Sequence, residues 1–256
     1  MIFGLFMIQV KNKAQIEKMK EAGRITGEAL LLGGEAVKPG VTTQQIDDII
    51  RRHIEKCGAT PSFLGYGGFP ASACISVNSQ VIHGIPSKKI VLKEGDIVKI
   101  DVGAFYQGFH GDSANTFACG NVSDEAKRLI EVTEQSFYRG LEFARAGNRI
   151  GDIGSAIESF VIENGFSAVH KYVGHGIGRN LHESPDVPNY GTAGRGVRLV
   201  SGMTIAIEPM ICVGTNAVRE LDDGWTVVTA DSKLSAHYEH TVAITDDDVI
   251  ILTKVN

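Results

Sequence analysis

The chain places acids where apolar strands would bury them. In Ile97 to Phe117, reading IVKIDVGAFYQGFHGDSANTF, two apolar arms flank Phe105-Tyr106-Gln107-Gly108, and the pattern predicts a β-hairpin. Asp101 lies on one arm and Asp112 on the other. A turn centred between Tyr106 and Gln107 would set them directly opposite, with Cβ atoms about 4.5–5.5 Å apart. Two carboxylates that close repel unless one is protonated or a cation sits between them. Solvated acids on an exposed hairpin are the plainer reading. Against it, Ile97, Val98, Ile100 and Val102 predict a buried arm, where unpaired acids are costly. The pattern points to metal.

The chain also resembles itself. A shift of 107 residues carries Gly40 onto Gly147, Ile46 onto Ile153, Ile50 onto Ile157 and Gly58 onto Gly165. It carries Leu92 and Gly95 onto Leu199 and Gly202, and Ile100-Asp101 onto Ile207-Glu208. One constant shift over a helix pair and a strand predicts a duplicated helix-helix-strand unit, with Glu208 in the place of Asp101. The strand SAHYEHTVAI carries Glu239, which we read as the mirror of Asp112. Four strands would then bring one carboxylate each to a common centre. Pro209 cannot donate to a sheet ladder and predicts a strand end or bulge just after Glu208. His175 sits among glycines in Gly174-His175-Gly176, where backbone can approach closely. Such a histidine is ordinarily a turn residue, but four acids in want of a cation favour it as a ligand. One imidazole and four carboxylates make a hard site suited to two divalent ions.

Around these residues the spacing predicts helices over Lys13 to Val37, from Thr42 or Thr43 to Gly58, Asp124 to Ala146 and Ile150 to Asn164. Strands are expected at Ala73 to Val77, Gly202 to Val213, Trp225 to Ala230, Ser235 to Thr245 and Val249 to Thr253. Val169 to Tyr190 reads as a histidine-rich loop. With 256 residues and 43% hydrophobic content, the chain can bury a large core. The two repeats have no Pro/Ser-rich linker between them and are expected to share that core. A net charge of −5 gives no basic footprint for nucleic acid. Cysteines at 57, 74, 119 and 212 form no C-x-x-C motif and fit a reducing cytoplasm. No run of 18 apolar residues suggests a membrane span. The start, MIFGLFMIQV, lacks the marks of a signal peptide. Two readings of it stay open, a first strand and an extension preceding a start at Met7.

Taken together and in order, His83-Gly84-Ile85-Pro86, Ile100-Asp101-Val102, His110-Gly111-Asp112, Gly174-His175-Gly176-Ile177-Gly178, Leu181-His182-Glu183, Ile207-Glu208-Pro209 and Tyr238-Glu239-His240-Thr241 resemble the motifs of the type I methionine aminopeptidases. The resemblance runs from about Ile8 to Thr253. It implies an α+β pita-bread fold, two pseudo-symmetric halves around a curved antiparallel sheet, as one catalytic domain over residues 1–256. It implies removal of the N-terminal methionine of nascent peptides when the second residue is small. Two divalent ions are implied, drawn from cobalt, manganese, iron, nickel and zinc. Asp101, Asp112 and Glu239 would hold one ion, and Asp112, His175, Glu208 and Glu239 the other. A water shared by the ions would attack, Glu208 would move its proton, His182 would meet the oxyanion, and His83 would contact the scissile amide. Tyr66, Phe69, Cys74 and Trp225 would form the methionine pocket, whereas without the resemblance they read as ordinary core. His110 is given a structural role.

The sequence departs from the family pattern at Phe63 and Ile82, where some members have cysteine, and at Leu181, where some have phenylalanine. It carries no cysteine-rich N-terminal extension and no large second-half insertion, which likens it to the short bacterial form. A monomer in the cytoplasm, in transient association with ribosomes and free of membranes and nucleic acid, is expected. Two rivals remain. One is a proline-cleaving relative, which would carry a large N-terminal domain. The other is a non-catalytic binding protein on the same fold, which would have lost ligands that are all present here.

Overall fold

The structure, a computed structural model, describes residues 8–255. The possible start at Met7 lies outside the described residues, as does most of the possible first strand; residues 8–10 form no strand. Four long helices appear where periodicity placed them: α1 (Lys13–Glu35), α2 (Thr43–Lys56), α3 (Asp124–Leu141) and α4 (Ile150–Glu163). Local chemistry sets their starts. Asn12 and Gln15 form a capping box on α1, Thr42 and Gln45 another on α2, and the Ser123 side chain accepts from the Ala126 N–H on α3. In α1, Ile16, Met19, Ile25 and Leu30 face inward, whereas Leu31, which the spacing put with them, is 48% exposed. It lies one residue, about a quarter of a turn, beyond the buried stripe.

A nine-stranded antiparallel sheet curls between the helix pairs. Its centre runs Ile97–Tyr106, Phe109–Ala118, Glu239–Ile244, Thr204–Ile207 and Gly174–Gly176, in that spatial order. Expected strands are shortened or split. Met210–Cys212 is separated from Thr204–Ile207 at Glu208-Pro209, as the proline predicted. Ser235–His237 breaks from Glu239–Ile244 at Tyr238. The histidine-rich stretch is no simple loop, because it contributes the strands Gly174–Gly176 and Glu183–Val187. Three residues rich in glycine have no alternation for a periodicity argument to find.

The duplication is written in the backbone. The Gly40 N–H donates to Leu92 O at 2.8 Å, and Gly147 to Leu199 at 2.9 Å, both partners displaced by 107 residues. Thr43 to Ile90 (3.0 Å) repeats as Ile150 to Val197 (2.9 Å), and the isolated bridge Thr42–Val91 repeats as Arg149–Arg198. Gly58 and Gly165, at φ 72° and 78°, occupy the left-handed region that favours glycine at these paired helix ends.

The hairpin register differs from expectation. Asp101 pairs with Ala114, and Asp112 with Gly103. The turn is the two-residue Gln107-Gly108, both at positive φ (49° and 85°), which moves it one residue along the chain. Asp101 and Asp112 are therefore diagonal neighbours on one face, still within reach of each other. Helix α1 covers this hairpin at backbone contact: a Cβ added at Gly111 would lie 2.9 Å from Gly23 N and Cα.

Candidate metal centre

The second half reproduces the hairpin's register. Ile97↔Ala118 and Ile100↔Asn115 correspond to Thr204↔Ala243 and Ile207↔His240, while Gly103↔Asp112 corresponds to Met210↔His237. The first strands keep the 107-residue shift, but the second strands are offset by 125. This corrects the mirror drawn from sequence. The counterpart of Asp112 is His237, and the counterpart of Glu239 is Ala114. Asp101 and Glu208 do correspond. Ala114 and Glu239 pair with each other, so the pseudo-two-fold passes between their strands. Threonines clasp the strands on either side. Thr241 Oγ1 accepts from Asp112 N–H and donates to Asp112 O, both at 2.9 Å; Thr116 Oγ1 does the same for His237, at 2.9 and 2.8 Å.

All eleven residues named from sequence line one cavity of about 170 Å³: Asp101, Asp112, His175, Glu208, Glu239, His83, His182, Tyr66, Phe69, Cys74 and Trp225. That is room for several waters, each taking about 30 Å³ of liquid volume. Phe63 and Leu181, two of the departures from the family pattern, also line it, whereas Ile82 pairs with Val227 outside it. His110 is not in the wall. Its Nδ1 pairs with Ser62 Oγ at 2.8 Å.

The carboxylates are short of partners. Asp101 Oδ1, Asp112 Oδ1 and Glu239 Oε1 are buried with no hydrogen bond. Among the described residues no lysine or arginine pairs with any of the four acids. Burial pushes Asp101 up to about 7, and burial with mutual repulsion raises Asp112, Glu208 and Glu239 well above the usual range. His175 is prepared as a ligand. Its Nδ1–H donates to Gly176 O at 2.8 Å, leaving the Nε2 lone pair free. That Nε2 stands 3.6 Å from Glu208 Oε1 and 3.8 Å from Asp112 Oδ2. Burial, with the charge of His182 adding to it, lowers His175 to about 3 and keeps it neutral. Orphaned carboxylate oxygens converging with a free imidazole nitrogen fit divalent cations, and the cluster could hold two.

The opposite wall is apolar. Phe69 and Trp225 meet edge to face at 5.1 Å between centroids. Cys74 is brought in because its strand pairs it with Asp101. Tyr66 has a contact the sequence did not suggest: its hydroxyl lies 2.8 Å from His182 Nδ1. The loop bearing His182 is anchored next door by the buried Lys11–Glu183 ion pair. His83 is lowered to about 4 by burial and by His182, and His182 is lowered by burial. Sequence reasoning missed His237, buried and 3.7 Å from Glu208 through Nε2. Its signal was the first histidine of SAHYEH, one pleat before Glu239.

The methionine aminopeptidase of Clostridium perfringens is 56% identical over 249 residues, covering 97% of this chain and 100% of its own. The crystal structure of a methionine aminopeptidase from Thermotoga maritima superposes with a TM-score of 0.96 at 44% identity, covering 97% of this chain and all of that one. A prolidase from Pyrococcus furiosus, at 24% identity and a TM-score of 0.78, shares the fold over 96% of this chain and 66% of its own. The model of metallopeptidase family M24 matches residues 17–246. On these matches, and with its buried acids and imidazole gathered in one cleft, the chain belongs to metallopeptidase family M24, among its methionine aminopeptidases.

Proposed function

We propose that the protein removes an N-terminal methionine, when the second residue is small, by hydrolysing the first peptide bond at a dinuclear metal centre. One observation carries the reading. The carboxylate and imidazole cluster and an apolar wall bearing a sulfur share a single cavity, so a thioether side chain and its adjoining amide can be held together. The relatives' names agree with it.

In this reading Asp101, Asp112 and Glu239 would hold one ion, and Asp112, His175, Glu208 and Glu239 would hold the other. The ions, when bound, supply Lewis acidity and a water of lowered pKa. Glu208, at the strand break before Pro209, passes a proton towards the leaving amine. With the Tyr66 hydroxyl donating to Nδ1, His182 carries its proton on Nε2 and offers it to the carbonyl oxygen as negative charge develops there. His83, neutral by burial, contacts the scissile amide. Tyr66, Phe69, Cys74 and Trp225 receive the methionine side chain. The enclosing wall leaves little room beside the ions, which is why the second residue must be small.

The proposal extends to setting. The halves share one sheet, which supports a single catalytic domain. Nascent chains as substrate favour a cytoplasmic monomer in transient association with ribosomes. Among the described residues no helix is long and apolar enough to cross a membrane. Release of methionine from Met-Ala and Met-Lys peptides, with divalent metal and after chelation, tests the reading. Release from Met-Ala alone, abolished by chelator, is expected. Equal release from both peptides would refute the small-residue rule, and no release in any metal would refute the activity.

A further inference from the structure

His237 has no task in that scheme. Its side chain is 1% exposed, and neither ring nitrogen has a hydrogen-bond partner. A buried polar group left unpaired costs about 1–3 kcal/mol. The Thr116 clasp fixes its backbone as the Thr241 clasp fixes Asp112, and burial confines the ring. Its Nε2 lies 3.7 Å from Glu208 Oε2, a few tenths of an ångström beyond hydrogen-bond range. On the other side, Glu208 Oε1 lies 3.6 Å from His175 Nε2. Glu208 thus stands between two imidazoles. His175 belongs to the cavity wall and His237 does not, so His237 is behind the carboxylate.

We infer that His237 is a positioning residue for the metal centre: its Nε2–H donates to Glu208 Oε2 and leaves Oε1 directed at the ion. The inference rests on the dinuclear reading above. A carboxylate ligand free to turn offers either oxygen in several orientations. One fixed through its far oxygen is presented in a single orientation, and such outer partners are typically worth about 10–100-fold in metal affinity. Glu208, His237 and Glu239 also offer ligand atoms within 4.8 Å of one another, so the alternative is that His237 binds an ion itself.

Metal binding separates these roles without reference to turnover. Manganese uptake would be titrated into metal-free wild type, His237→Leu and His237→Gln, with the melting temperature of each metal-free protein measured alongside. Glutamine keeps an N–H that can reach Glu208 but is a poor substitute for an imidazole ligand. The expected result is binding weakened about 10–100-fold in His237→Leu and restored to within a few-fold of wild type in His237→Gln. Unchanged binding in His237→Leu would reduce the ring to packing and overturn the inference. Binding lost equally in both variants would make His237 a ligand and overturn it as well. Should His237→Leu fail to fold, nitrogen NMR of the zinc-loaded wild type decides. A ring protonated on Nε2 supports the inference, and a metal-shifted Nε2 refutes it. Wild type taking up fewer than two ions, or Asp112→Asn binding as wild type does, would instead refute the dinuclear reading, and with it this role for His237.

Discussion

The two halves of the sheet have the same backbone and different chemistry. Pairing register, helix-end glycines and connecting hydrogen bonds repeat from one half to the other. At the centre the side chains diverge: Asp101, Asp112 and Ala114 in the first half correspond to Glu208, His237 and Glu239 in the second. Duplication supplied a symmetric cradle, and three pairs of side chains made it lopsided. A strictly symmetric site would hold two equivalent ions. In this one the second half also brings His175, its Nε2 free, so that one side is all carboxylate and the other contains an imidazole, and the two can bind and polarise differently. Among the described residues no lysine or arginine pairs with these acids, so the cradle is strained by its own charge until cations enter.

The largest expected effect comes from removing the acid that serves both sides. Asp112→Asn should abolish uptake of both ions and turnover, whereas Asp101→Asn should lose one ion and retain residual activity in excess metal. Metal per chain and turnover, measured together, check this. Equal loss in the two variants would mean that Asp112 does not serve both ions.

Next come the two cavity histidines. His175→Ala removes the imidazole aimed at the ions and should lose metal. His182→Ala should keep its metal while kcat falls about 10²–10³-fold, with KM little changed, because its partner forms only as the carbonyl is attacked. Metal loss in His182→Ala would contradict its assignment.

Stability against pH isolates the charge strain. Asp101 in the metal-free fold is raised from 3.8 to about 7, so the folded state holds the proton more tightly than the unfolded chain does. Its contribution is therefore complete below about pH 4 and is lost as pH rises through about 7. The melting temperature of metal-free protein should fall across that window, less so in Asp101→Asn and least with metal bound. A metal-free melting temperature that rises over the window would contradict this sign.

The smallest effect concerns Tyr66. Losing one hydrogen bond of about 0.5–1.5 kcal/mol should make Tyr66→Phe roughly two- to tenfold slower, with metal content intact. An unchanged kcat would separate the hydroxyl from the orientation of His182.

Much of this was legible in residue types. Glycines recurring at a constant shift marked paired helix ends, and Pro209 marked the break beside Glu208. Acids inside apolar strands marked the cleft. Three features were not legible, each for a physical reason. The hairpin turn lies at Gln107-Gly108, and glutamine seldom announces a positive φ. The counterpart of Asp112, His237, was hidden because the second half joins its strands through a connection 18 residues longer, so one constant shift cannot align both strands. The bond from Tyr66 to His182 spans 116 residues, from a single 3-10 turn to a loop, where no periodicity operates.

Anomalous diffraction from crystals grown with manganese tests the dinuclear, asymmetric centre most directly. Two peaks about 3.5–4 Å apart are expected. One should be held by Asp101, Asp112 and Glu239, and the other by Asp112, His175, Glu208 and Glu239, with His237 touching Glu208 and neither ion. A single ion at full manganese occupancy, or ions held away from Asp112 and Glu239, would contradict it.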